Sequence, residues 1–596
     1  MRVPIRFAVF ACAVALAVLG FAPGAFAGST PSPCQGAVDS ILASYGYTPS
    51  SLAKATGMTT GALNDQIQTL CVSQPAPQVA AQLLKNAGIG VAAIGSFLKN
   101  GFGLPAVQAA QTLQAVGFDA SQIATALAQG FASTALEAAQ ILKSLGFDAN
   151  AVGTALRDIY SLAAQGAAQI LKDVAYAVTE VGGALKVVFG LAAQGAAQIL
   201  KNISYLATEV GQALQTVFAE IANGAAQILH DIGFLATEVG QALNVVFGKV
   251  ADAAAQILHD VGYLATQVAQ ALQTVFFKAA LEATQILKNV GYAVVAVGQA
   301  LQAVFGKVAQ EAAQILKTVG YLAEQVGLAL NQVFGQLQQQ MAQILKDVGY
   351  AVTQVGEALK QVFTLAGDVA AGVLRDIGYG ANQIADALLN TFGFAAAPAA
   401  LVLKTLAFGV NVVAGALQAI YTLAGDAAAL ALKVAGFAVQ QIAQALSDIY
   451  ALANQAAAAA LKFAGFVANE VANAMLAVYA LSAQLTATAL KAVGFIVTEV
   501  AAAMQVVYGL AAQAAAQILK DIGYAVDAVA QALQTVFGLA ADAAAQILAD
   551  IGYVADQIAQ ALNTVFGLAE DAINDILGGI SGLIGDIGDA LCEIFC

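Results

Sequence analysis

From Leu84 onward a leucine returns every 29 residues, through Leu113, Leu142, Leu171 and Leu200 to Leu577, eighteen stations without an insertion. Two late copies, Leu510 to Gly538 and Leu539 to Gly567, display the unit between stations. In the first half, Leu510 to Tyr524, the polar side chains are Gln513, Gln517, Lys520 and Asp521; in the second half they are Asp527, Gln531, Gln534 and Thr535. Intervals of three and four place each set on one stripe of a helix whose remaining surface is apolar. A helix so nearly apolar cannot stand alone, and a fixed period of a few tens of residues is the mark of supersecondary units that bury one another's faces by stacking. The pattern predicts an all-α fold, a right-handed α-solenoid of stacked helical hairpins.

A rival has to be weighed against it. Twenty-nine residues are also eight turns at about 3.6 residues each, so the stripe would stay in phase on one unbroken amphipathic helix, an interface binder rather than a compact solenoid. Local signals favour a break after the glycine-aromatic pairs Gly117-Phe118, Gly146-Phe147, Gly233-Phe234, Gly349-Tyr350 and Gly523-Tyr524. Glycine suits the left-handed residue just past a helix end, and the aromatic folds back on the last turn. Asp119, Asp148 and Thr48-Pro49 then supply N-caps and a first-turn proline. Lys143, Lys172, Lys346 and Lys520 before the break, and Asp252, Asp368, Asp426 and Asp542 in the opening turn of the first helix, match the macrodipole of a helix confined to that half. Three copies carry Ala175, Ser204 or Ala407 where glycine is expected, and these bend at a cost or bend differently.

The two ends depart from the period. Arg2 and Arg6, the apolar run Phe7 to Phe21 and Ala25-Phe26-Ala27 before Gly28 have the three regions of a cleavable secretory signal over residues 1–27. Residues 28–80 read as an N-terminal helical cap: Cys34 to Gly57 is a diverged unit, and Met58 to Cys71 a further short helix before the Pro75-Ala-Pro77 hinge. The array of about eighteen repeats fills 81–577. Residues 578–596 form a glycine-rich C-terminal cap ending in Cys592 and Cys596. In an exported chain the four mature cysteines read as disulfides at the array ends, Cys34 with Cys71 and, more strained across one helical turn, Cys592 with Cys596. The localisation expected is extracellular.

Composition changes the picture at two points. Sixty per cent hydrophobic residues and a mean hydropathy of +0.75 would suggest a membrane protein, but solenoid helices meet neighbours on several sides and need only a narrow wet stripe. Even the stretch from Thr405 to Gly425, which carries no charge, keeps the repeat register. The formal charge of −14 disfavours nucleic acid as a partner.

Candidate chemistry is sparse. His230 and His259 occupy a slot held mostly by lysine or arginine and have no spacing of a ligand set. Glu180, Glu209 and Glu238 recur once per unit as a solvated ladder, whereas acid–base work needs groups in differing surroundings. No catalytic centre, cofactor or metal is expected. The one candidate binding row is a glutamine ladder, Gln169, Gln198, Gln227, Gln256, Gln285, Gln314 and Gln343, whose amides could instead bridge neighbouring units. The organisation resembles α-solenoids in general, although the Leu-Lys-x-x-Gly-Tyr unit does not match tetratricopeptide, ankyrin or HEAT patterns. The expected function is a secreted structural or binding scaffold, with a polysaccharide, a surface or the protein itself as partner; the alternative is a lipid-active amphiphile acting at a membrane surface.

Overall fold

The computed structural model describes residues 33–580. Among the described residues there are 38 α-helices and no strand. Each repeat contributes two, a leading and a trailing helix, as in Ala164–Asp173 with Val178–Val187, followed by Ala193–Asn202 with Ala207–Val217. The leading helix packs on its own trailing helix and on the next leading helix, and trailing helices pack on one another in the same way. This is a helical-repeat solenoid, and the unbroken helix is not what the sequence adopts. The chain divides at Tyr263 and Leu264 into two compact units, and each is built on this plan.

Two left-handed residues per repeat make the bends. At the first station the leading helix closes with paired bonds: in one repeat Ala175 N–H donates to the Lys172 carbonyl at 2.7 Å and Tyr176 N–H to Leu171 at 3.0 Å. That pairing serves carbonyls the helix end leaves open. Gly523 holds this station at φ 84° and Gly349 at φ 86°. The glycine-free copies do not bend differently, since Ala175, Ser204 and Ala407 sit at φ 63°, 65° and 63°; they adopt the same turn and carry its steric cost. The second station ends the trailing helix. It is glycine at Gly190, Gly509 and Gly538, yet Phe277, Thr364 and Thr422 occupy it at φ 55°, 57° and 53°.

Packing buries the inner apolar faces, while large apolar side chains such as Val187, Ile221 and Phe277 stay exposed. Ala167, Ala168, Val181 and Ala184 are fully buried, and Leu171 and Leu185 are 1 % exposed. Small residues set how close successive trailing helices come: a methyl group added to Gly182 would lie 3.3 Å from the Ala213 side chain, and one added to Gly298 would lie 3.3 Å from Ala329. The uncharged stretch Thr405 to Gly425 is divided among helices Ala396–Thr405, Val410–Ala419 and Gly425–Val434, with left-handed Ala407 and Thr422 between them. Among the described residues no helix is long and apolar enough to cross a membrane.

At the N-terminal end, helix Pro33–Ser44 turns through Gly46 into Pro49–Thr56, and Thr60–Ser73 follows. Thr48 caps the second helix by accepting from Ser51 N–H, with Pro49 in the first turn. A Cys34–Cys71 disulfide ties the first of these helices to the third. At the other end the last described helix is Glu570–Gly579. The segment 1–27 expected to be a signal, Cys592, Cys596 and most of the expected glycine-rich cap lie outside the described residues.

Candidate functional site

Lysine stands next to last in most leading helices, and its partner lies one repeat onward. Lys172 Nζ donates to the Ile203 and Ser204 carbonyls at 2.6 and 2.9 Å, and Lys520 Nζ to Ile551 and Gly552 at 2.6 and 2.8 Å. Lys346 reaches Ile377 at 2.5 Å. These acceptors are the open carbonyls at the end of the next leading helix, where a cation is favoured by the helix dipole. The same ammonium lies over the aromatic ring of that turn, Lys172 4.4 Å from the Tyr205 centroid and Lys346 4.8 Å from Tyr379. The lysines therefore complement the macrodipole of the following repeat's helix. Trailing helices use the device less regularly, with Lys360 donating to the Thr391 carbonyl at 2.9 Å and Arg157 to that of Val188.

The glutamine ladder behaves otherwise. Gln169 donates to Asp173 at 2.7 Å, Gln198 to Asn202 at 2.8 Å, Gln227 to Asp231 at 2.7 Å and Gln256 to Asp260 at 2.8 Å. In the second unit Gln285 bonds Asn289 at 2.9 Å, Gln314 bonds Thr318 at 3.4 Å and Gln343 bonds Asp347 at 2.6 Å. Each amide is held along its own helix at i,i+4, so the expected bridges between units are not made by this row. The seven side chains are exposed or half-buried.

Tyrosine supplies another stitch, in the opposite direction. Tyr176 donates its hydroxyl to the Phe147 carbonyl at 2.5 Å and Tyr350 to Tyr321 at 2.7 Å, each one repeat back. Burial pushes the phenols of Tyr176, Tyr205, Tyr321 and Tyr350 up to about 12, with nearby carboxylates adding to the effect at all but Tyr321. Desolvation disfavours the phenolate, so these groups stay neutral; Tyr176 and Tyr350 donate, whereas the buried Tyr205 and Tyr321 hydroxyls meet no acceptor and leave the stitch unmade in their repeats.

The acids carry structural work that their exposure hides. Glu209 accepts from the Leu206 N–H and Glu238 from the Leu235 N–H, both at 2.7 Å, closing the start of a trailing helix whose N-cap has no polar side chain. The solvated ladder is thus a ladder of capping groups. His230 stands 3.4 Å from Asp231 and edge-on to the Tyr263 ring at 4.7 Å, the aromatic its lysine counterparts cover. Among the described residues no three His, Cys, Asp or Glu side chains gather to hold a metal ion.

What distinguishes one stretch from the rest is the loss of its polar stripe. The glutamine station reads Leu401, Leu430 and Ala459 in three successive repeats, and the aspartate station keeps a polar Thr405 before turning apolar at Val434 and Phe463. Beside Phe463 runs an open groove of about 710 Å³, floored by Ala453, Ala456, Ala459 and Ala492 and flanked by Lys462. Glutamine and aspartate return at Gln517 and Asp521. The fold and these ladders define an α-helical repeat protein. No protein-family model and no curated protein matches its sequence.

Proposed function

We propose that the chain is an exported, non-enzymatic scaffold that meets a partner made of repeated units: a polysaccharide, an extended surface or another copy of itself. The observation that carries this reading is the use of the recurrent polar side chains. Lysine and tyrosine stitch the array, glutamate caps its own helix, and the glutamines that remain at the surface recur at one-repeat intervals, each bonded along its own helix. Such a surface offers weak identical contacts in series, which gain strength through multivalency. The Cys34–Cys71 disulfide agrees with an oxidising compartment, and the expected product begins at Gly28.

The test is N-terminal sequencing of the exported chain, followed by co-sedimentation of the purified protein with insoluble polysaccharides and by flotation with liposomes. Binding to a polymer that falls steeply when the array is shortened supports the scaffold. Retention of the segment before Gly28 with flotation on lipid, and no sedimentation with any polymer or with itself, would overturn it in favour of an amphiphile.

A further inference from the structure

We infer that the leading-helix face of residues 396–492 is an association surface for a second copy of this chain, and specifically for the acidic face of its residues 164–260. The inference rests on the scaffold reading and chooses among its partners. Four successive leading helices, Ala396–Thr405, Gly425–Val434, Asn454–Phe463 and Ala483–Ala492, expose Leu401 (46 %), Leu430 (41 %), Val434 (61 %), Phe463 (61 %) and Leu485 (55 %). Scattered apolar residues need no explanation, but a set in which Leu401, Leu430, Val434 and Phe463 stand at stations that are mostly polar elsewhere does.

Charge names the occupant. These four helices carry four lysines, Lys404, Lys433, Lys462 and Lys491, against one carboxylate, Asp426. Along their edge Glu470 and Glu499 are engaged as caps on Val467 and Ile496, giving four cations against three anions. The corresponding helices of the first unit, Ala164–Asp173 to Ala251–Asp260, carry Lys172 and Lys201 against four aspartates, with Glu180, Glu209 and Glu238 along the edge. That is two cations against seven anions, and the edge also exposes Leu206 and Leu235 at 66 % and 63 %. One face is apolar and the more basic, the other apolar and acidic.

Pitch completes the match. Both faces repeat at the same helix-to-helix interval because both are built from the same unit, so the rows stay in register over several repeats instead of drifting apart. Four helices about 15 Å long and spaced at about 9–10 Å give a footprint on the order of 600 Å² per partner. This is the small end of specific interfaces, where transient contacts lie. The contact pairs unlike faces, so it is heterologous and propagates into chains unless it closes.

The experiment uses the full mature chain and two variants written in residues the repeat already carries at those stations. The first, Leu401→Gln, Leu430→Gln, Val434→Asp and Phe463→Asp, restores the ordinary stripe, as in Gln314, Gln343, Asp347 and Asp521. The second, Leu206→Ala, Glu209→Gln, Leu235→Ala and Glu238→Gln, copies the Ala351 and Gln354 cap, where the Gln354 amide oxygen accepts from the Ala351 N–H at 2.9 Å. In sedimentation velocity the wild type should form salt-sensitive oligomers. Each variant alone should associate at least tenfold more weakly with an unchanged circular dichroism melt, and the two mixed should recover one-to-one pairs, since each keeps the face the other lacks. A wild type that stays monomeric up to about 100 µM would overturn the inference while leaving the scaffold reading to the polymer assay. So would failure of the mixture to pair, or a monomeric wild type that binds anionic vesicles through this face.

Discussion

Thr364 and Thr422 hold left-handed backbone at φ 57° and 53° where other repeats place glycine, and that position sets up a measurable gain. A left-handed residue with a Cβ costs about 1–2 kcal/mol, and branching at Cβ adds crowding. Glycine returns part of the relief through its freer unfolded chain, about 0.5–1 kcal/mol. Thr364→Gly and Thr422→Gly should therefore each stabilise their repeat by about 1 kcal/mol. Thr422 gives up only a hydroxyl contact with the adjacent Tyr421 carbonyl. A solenoid opens locally rather than all at once, so global denaturation would blur the effect. The suitable assay is hydrogen exchange on peptides spanning 352–376 and 410–434, where protection should rise about fivefold per site. The converse substitution, Gly538→Thr at φ 63° with nothing within 4 Å of the added Cβ, should lose a similar amount from backbone strain alone. Unchanged or faster exchange in both glycine variants, with Gly538→Thr neutral, would refute the claim that these turns are strained.

Three further outcomes are expected. Lys346→Met keeps most of the apolar stem but removes the charge-assisted bond to Ile377 and the contact over Tyr379; it should cost about 2 kcal/mol, seen as faster exchange in the following repeat rather than in its own. Tyrosines whose folded pKa is raised above the unfolded value near 10 contribute stability that is whole below pH 10 and lost as pH climbs toward 12, so melting temperature should fall across that window as tyrosinate absorbance rises. A flat melting temperature there would contradict the buried, neutral phenols. Cys34→Ser with Cys71→Ser opens a closure across 37 residues and should weaken the N-terminal helices by about 4 kcal/mol on the chain-entropy estimate, with proteolysis beginning there and the distal repeats unaffected.

The hairpin and its first bend were legible because their signals are local. Gly523-Tyr524 announces a helix end in two residues, and Asp119 and Asp148 do cap the helices that follow, accepting from Gln122 and Ala151 N–H at 2.8 Å. The second bend was legible at Gly538 but not at Phe277, where packing of the flanking helices overrides local preference. Gln169 with Asp173 is an i,i+4 pair that spacing alone suggests, whereas Lys172 and Ile203 stand more than a full repeat apart and their pairing has meaning only once repeats are stacked. The change of character at Leu401, Val434 and Phe463 is masked by the uniform ladders before it, although it shows wherever the glutamine column is read past Gln343.

The stitches have a direction. Lys172 precedes the carbonyls it serves at Ile203 and Ser204, and the Phe147 carbonyl precedes the Tyr176 hydroxyl that seeks it. In both cases the earlier repeat already holds the complementary group when the later one arrives. A chain emerging N-terminus first, from a ribosome or across a membrane, would thus find a finished template at every step, so assembly can advance like a zipper with no wait for the C-terminus. Cutting the array would then be asymmetric: removing late repeats leaves earlier lysines merely unemployed in water, while removing early ones strands the phenols and helix ends of the next repeat.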